Sequence, residues 1–66
     1  MINNNISSIF GERLLKISAV SKDTGISRST LTNLYYKRSC FISFEVLNAL
    51  CAYLKCQVND LISYED

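Results

Sequence analysis

Between positions 27 and 33 the chain gathers side chains that can read another molecule by hydrogen bonds: Ser27, Arg28, Ser29 and Thr30, then Thr32 and Asn33. The guanidinium of Arg28 can donate two parallel bonds to O6 and N7 of a guanine, and the Asn33 amide, little more than a turn further along a helix, matches N6 and N7 of an adenine. Ser29 and Thr32 can reach base edges or thymine methyls. If a helix begins at Ser27, its free N–H groups and positive dipole end also attract anions. No rival chemistry competes. The sequence has no histidine and its few carboxylates are scattered, so a serine or cysteine nucleophile would lack its base, and 66 residues leave little room for a substrate pocket. The reading is therefore not an enzyme, and neither a cofactor nor a small-molecule ligand is expected. Cys40, Cys51 and Cys56 form no CxxC pair and cannot supply the four closely spaced ligands of a structural zinc site, so no metal is expected either. An odd thiol count also fits no disulfide framework, and the three read as small buried hydrophobes in a reducing compartment.

Charge is distributed unevenly. Residues 1–12 carry only Glu12, residues 13–38 carry Arg13, Lys16, Lys22, Arg28, Lys37 and Arg38 against Asp23, and residues 39–66 carry Lys55 against four acids, a balance of −1, +5 and −3. A basic middle suits a polyanion, while the acidic end suggests a different task. The length bounds the rest: one domain spanning 1–66, with so modest a core that self-association is the expected supplement. A hydrophobic fraction of 48% and a charged fraction of 20% argue against a disordered chain. No apolar run is long enough to span a membrane and no basic segment opens the chain as in a leader, so a soluble cytoplasmic protein without membrane contact is expected.

The elements that position these groups read as helices, because two glycines and no proline are too few for the turns of an all-β domain. Ile6, Ile9, Phe10 and Leu14 share one helical face, which predicts a first helix starting after Asn3, Asn4 and Asn5 and running to about Leu15. Gly11 within it can admit close packing of a neighbouring helix. Ile17 and Val20 begin a second segment that Thr24-Gly25 closes. Ile26 plugs the corner, Ser27 caps a third helix, and Leu31 and Leu34 form its buried side. After a polar and aromatic loop, Phe41 and Ile42 return to the core. Ser43 caps a fourth helix with an apolar stripe of Phe44, Leu47, Leu50, Cys51 and Leu54, and Val58–Ile62 makes a short lid.

Two short helices joined by a glycine-containing turn fit a helix-turn-helix. Residues 17–35 resemble the motif of the phage-repressor-like regulators, the Cro and lambda-repressor (Xre) family. Gly25 matches the turn glycine. Val20, Ile26, Leu31 and Leu34 match the apolar positions that lock the two helices, and Gly25-Ile26-Ser27-Arg28-Ser29-Thr30-Leu31 is a typical passage into the recognition helix. Ile42 to Leu47, Leu50-Cys51, Leu54 to Gln57 and Asp60 to Tyr64 resemble the later helices of the minimal members. Two positions depart from the family pattern. Ser21 replaces the usual alanine, where its hydroxyl can bond back one turn, and Lys16 replaces the usual Ser or Thr cap, a loss of about 1 kcal/mol.

The resemblance implies an all-α, compact five-helix lambda-repressor-like bundle whose third helix enters the major groove of double-stranded DNA. Arg28, Ser29, Thr32 and Asn33 would then read bases, and Ser27, Tyr36, Lys37 and Arg38 would hold phosphates. It further implies a homodimer on a palindromic operator. Its seam is expected at the apolar, acidic C-terminal region, at Tyr53, Ile62 and Tyr64. A transcriptional repressor follows as the expected role. The alternative is a protein-interaction module that uses the same bundle to hold a toxin or regulator, with DNA contact secondary.

Overall fold

In a computed structural model describing all residues 1–66, the chain runs β1 (Ile2–Asn4), α1 (Ile6–Glu12), α2 (Ile17–Thr24), α3 (Arg28–Tyr35), α4 (Phe44–Leu54), α5 (Val58–Leu61) and β2 (Ile62–Tyr64). The five helices enclose ten buried apolar residues: Ile6 and Phe10 from α1, Val20 from α2, Ile26 from the turn, Leu31 and Leu34 from α3, Leu47, Leu50 and Leu54 from α4, and Leu61 from α5. No polar residue is buried with them. The expected bundle is present, with one addition. β1 and β2 pair antiparallel, Ile2 with Tyr64, Asn3 with Ser63 and Asn4 with Ile62, so the two ends of the chain form a small ribbon. Three residues alternating once between faces are too short a pattern to register as a strand, and Ile62, expected as the last residue of the lid helix, instead leaves it for the ribbon.

Helix ends explain most of the other differences. α1, α3 and α4 are each followed by a non-glycine residue in the left-handed region, Leu14 (φ 56), Lys37 (φ 59) and Lys55 (φ 54), where α2 uses Gly25 (φ 80). Behind Leu14, the Leu15 N–H donates to the Phe10 carbonyl at 2.8 Å and the Leu14 N–H to Gly11 at 3.2 Å; behind Lys37, Arg38 donates to Asn33 at 2.8 Å and Lys37 to Leu34 at 3.2 Å. These paired bonds are the Schellman closure. Because α1 stops this way at Glu12 rather than near Leu15, Leu14 is thrown off the apolar face and is 89% exposed, while Leu15 turns back against the core. Gly11 meets no neighbour within 4 Å of its missing Cβ, so it admits no packing helix. Phe41 and Phe44, expected in the core, are 81% and 88% exposed; of that group only Ile42 packs inward. The cysteines are not buried either: Cys40 is exposed, and Cys51 and Cys56 sit half-buried at the core margin.

Local capping follows the side chains. The hydroxyls of Ser27 and Ser43 accept the N–H groups of Thr30 (3.2 Å) and Val46 (3.1 Å). Lys16 gives α2 no side-chain cap, as its residue type requires. At α1 the N-cap Asn5 makes no cap bond, and Asn4 serves instead, its Oδ1 accepting the Ile6 N–H at 2.9 Å. Gln57 N–H donates to the Asp60 carboxylate at 2.9 Å, closing the first turn of α5.

Candidate nucleic-acid interface

α2 and α3 meet through a turn that is fixed from both sides. Gly25 supplies the left-handed residue, and the Thr24 hydroxyl donates to the Val20 carbonyl at 2.6 Å while accepting the Ile26 N–H at 3.2 Å. Ser21 does not bond back one turn; its hydroxyl donates forward across the turn to the Ile26 carbonyl at 2.6 Å. The polar residue where an alanine was expected therefore ties the two helices together. Ile26, Leu31 and Leu34 then fix α3 against the core by its inner side.

The outer side of α3 follows from helix geometry. At about 100° per residue, Ser29, Thr32 and Asn33 fall within about 50° of the direction opposite the Leu31–Leu34 side, and Arg28 lies about 90° from it in the first turn. Arg28, Ser29 and Asn33 are exposed and Thr32 is half-buried. Thr30 and Asn33 border a recess of about 270 Å³ that they share with Ser39, Phe41 and Ser43 of the following loop and helix start. The amides of Arg28 and Ser29 have no acceptor within the protein, as expected at a helix start.

Ser27 is more occupied than its sequence context suggests. Besides accepting the Thr30 N–H, its hydroxyl donates to Thr30 Oγ1 at 2.8 Å and lies 3.3 Å from Ser29 Oγ. Beyond the other end of α3, Tyr36, Lys37 and Arg38 are all exposed. An aromatic series leads to them from the core: Phe10 and Tyr35 have ring centroids 6.1 Å apart, Tyr35 and Tyr36 meet edge-on at 4.9 Å, and the Arg38 guanidinium lies 5.2 Å from the Tyr36 ring centre. Such a cation–aromatic contact is worth roughly 0.5–1 kcal/mol at an exposed site, enough to bias where the arginine points. Sequence reading missed this support, although adjacent tyrosines two residues before an arginine were its visible signal.

A model of the Cro/C1-type HTH DNA-binding domain matches residues 5–66. The chain belongs to this family. It is thus a DNA-binding helix-turn-helix domain, of a family that is typically not enzymatic. Its fold resembles the crystal structure of a candidate DNA-binding protein from Bacteroides fragilis, with a TM-score of 0.79 at 21% identity over 94% of this chain and 98% of that one. No curated protein matches it.

In this Cro/C1-type domain the remaining sequence-selected residues lie on α4 and in the terminal ribbon. Tyr53 is half-buried, and its hydroxyl donates to Asp23 Oδ2 at 2.8 Å, bracing α4 against the end of α2. This bond, with some desolvation and the nearby negative charge, holds the Tyr53 hydroxyl above its ordinary pKa. Ile62 packs against the core margin, whereas Tyr64, across the ribbon from exposed Ile2, is 68% exposed. No three potential metal ligands converge anywhere in the domain, and no helix is long and apolar enough to cross a membrane.

Proposed function

We propose that this protein is a sequence-specific transcriptional regulator, a repressor, that works as a single 1–66 unit and inserts α3 into the major groove. Arg28, Ser29, Thr32 and Asn33 read bases, and Tyr36, Lys37 and Arg38, with Ser27 through its backbone N–H because its hydroxyl is given to Thr30, hold phosphates on either side. The observation that carries this reading is the polar outer side of α3, set between the uncapped amides and Arg28 at one end and Lys37 with Arg38 at the other. One such helix reads about half a regulatory site, which favours a homodimer on a palindrome. The apolar surface formed by Ile2, Ile62 and Tyr64 is the proposed seam; Tyr53 already uses its hydroxyl within the chain.

Selection from a randomised duplex pool at near-physiological salt tests the reading. A palindromic motif is expected for the native protein, and Arg28→Ala is expected to lose roughly 1–3 kcal/mol on it and to relax one base position. An Arg28→Ala variant that selects the same motif with the same affinity would sink the assignment. A second reading, a protein-interaction module, draws on the exposed Phe41 and Phe44 beside the same face. It is favoured if no motif is enriched and binding vanishes as salt rises.

A further inference from the structure

Asn4, thirty positions before Leu34 in the last turn of α3, uses both halves of its amide. Its Oδ1 accepts the Ile6 N–H at 2.9 Å, and its Nδ2 donates to the Leu34 carbonyl at 2.7 Å. That carbonyl also accepts the Lys37 N–H at 3.2 Å in the closure of α3. The same oxygen thus joins the side chain of Asn4 to the backbone turn from which Lys37 and Arg38 project. Asn4 is held firmly in its own place, because it pairs with Ile62 in the ribbon and the next residue, Asn5, donates its N–H to the Leu61 carbonyl at 2.8 Å and its side chain to Ser63 at 3.2 Å.

We propose that Asn4 is a positioning residue for DNA recognition, one that sets the C-terminal end of α3, and with it Lys37 and Arg38, against the α1–ribbon frame. The inference rests on the reading of α3 as the DNA-contacting helix. The backbone bonds of the closure, Lys37 to Leu34 and both Arg38 and Ser39 to Asn33, all lie within residues 33–39, and the bond from Asn4 ties that closure to a distant part of the chain. Because Asn4 faces Ile62 in the ribbon, it also connects the proposed dimer seam to the reading helix by a short, defined path.

Asn4→Ser separates this role from simple stabilisation. Serine keeps a hydroxyl that can cap the Ile6 N–H and adds no charge, but it is too short to reach the Leu34 carbonyl. The wild-type and Asn4→Ser proteins are compared by melting temperature, by amide hydrogen exchange at Lys37 and Arg38, and by affinity for the selected motif and for an unrelated duplex. The expected result is a folded variant whose Lys37 and Arg38 amides exchange faster, with the slope of log affinity against log salt flattened by about 1–2 and a loss of similar size, up to about tenfold between 50 and 200 mM salt, on the motif and on the unrelated duplex. Unchanged exchange, or an unchanged salt slope, overturns the positioning role while leaving the DNA reading intact. A wild-type protein that selects no motif retires the DNA reading itself, and the positioning role with it. Should Asn4→Ser fail to fold, Asn4→Asp, which retains the cap and removes the donor, is assayed for exchange and for the salt slope, with the same results deciding.

Discussion

Lys37 makes opposite demands on stability and binding, and two substitutions separate them. Its φ of 59 places an L-residue in the left-handed region at the close of α3, at a cost of about 1–2 kcal/mol. Glycine removes that strain but adds roughly 0.5–1 kcal/mol of unfolded-state entropy. Lys37→Gly is therefore expected to stabilise the fold by about 0.5–1 kcal/mol, and since 1 kcal/mol moves the midpoint of so small a domain by about 4–8 °C, thermal unfolding followed by circular dichroism resolves the shift. Lys37→Ala retains a Cβ and hence the strain, so its melting point should stay within a few degrees of the native one. For DNA the two variants should agree. Each lost phosphate contact flattens the slope of log affinity against log salt by about 0.9. Between 50 and 200 mM salt, that one contact accounts for a factor of about 3.5 in affinity, which fluorescence anisotropy on a labelled duplex measures readily. Both variants should lose this salt-dependent factor on the preferred and unrelated sequences alike. A loss confined to one base position would show that Lys37 reads sequence, and an unchanged slope would show that it touches no phosphate; a Lys37→Gly protein less stable than native would refute the strain argument.

The same strain at an exposed apolar site gives a second expectation: Leu14→Gly should raise the melting temperature by a few degrees, because Leu14 has φ 56 and almost no packing to lose. A lower melting temperature would mean that Leu14 is covered in solution. Tyr53 supplies a pH dependence. Its folded pKa is raised above the ordinary 10.0, so the folded state retains the proton longer than the unfolded chain, and the stability this contributes is present below pH 10 and lost as pH rises through the folded value. Tyr53→Phe should therefore flatten the decline in melting temperature above pH 10, and an identical decline would remove the Asp23 bond from the account. Thiol alkylation followed by intact mass should label exposed Cys40 first and Cys56 last, since burial raises the Cys56 thiol and disfavours its reactive thiolate. Equal labelling rates in the folded protein would contradict this order.

The helix-turn-helix was legible because its signals are local and mutually consistent. Gly25 supplies a backbone region few other residues enter cheaply, Ser27 has an N–H to accept three residues on, and Leu31 with Leu34 shows which side of α3 is inward. The outer face then follows by geometry. What stayed hidden depends on contacts far apart in sequence or on backbone forms that residue type does not announce. Leu14 and Leu15 are equally apolar, and only the closure of α1 at Glu12 decides that one faces water and the other the core. Phe44 satisfies the apolar stripe of α4 by spacing, yet it occupies the first turn, where the helix projects beyond the core. The bond from Asn4 to Leu34 spans thirty residues and has no periodicity at all.

The helix closures bear on function as well as on legibility. Glycine, the residue that enters the left-handed region most cheaply, stands at only one of the four such positions, in the turn between α2 and α3, where an added side chain would be directed away from any contact but the backbone form is still required. At the other end of α3 the position is Lys37. A glycine there would close the helix with less strain but present no cation, and the neighbouring Arg38 is already held partly by the Tyr36 ring. The chain thus keeps about 1 kcal/mol of avoidable strain at the place where the proposed interface needs charge. Such strain is the kind that a glycine substitution relieves without loss of packing at an exposed site, and natural chains commonly leave it in place. At Lys37 the cation offers a compensating role, whereas Leu14 (φ 56) and Lys55 (φ 54) keep the same strain without one, so it is the substitutions and not the strain itself that test the phosphate contact. The two glycine substitutions therefore serve as an internal comparison: equal gains in stability, with a loss of DNA affinity at position 37 and none at position 14. A loss of affinity at both positions would place the α1–α2 junction in the interface and enlarge the contacted surface beyond α3 and the loop that follows it.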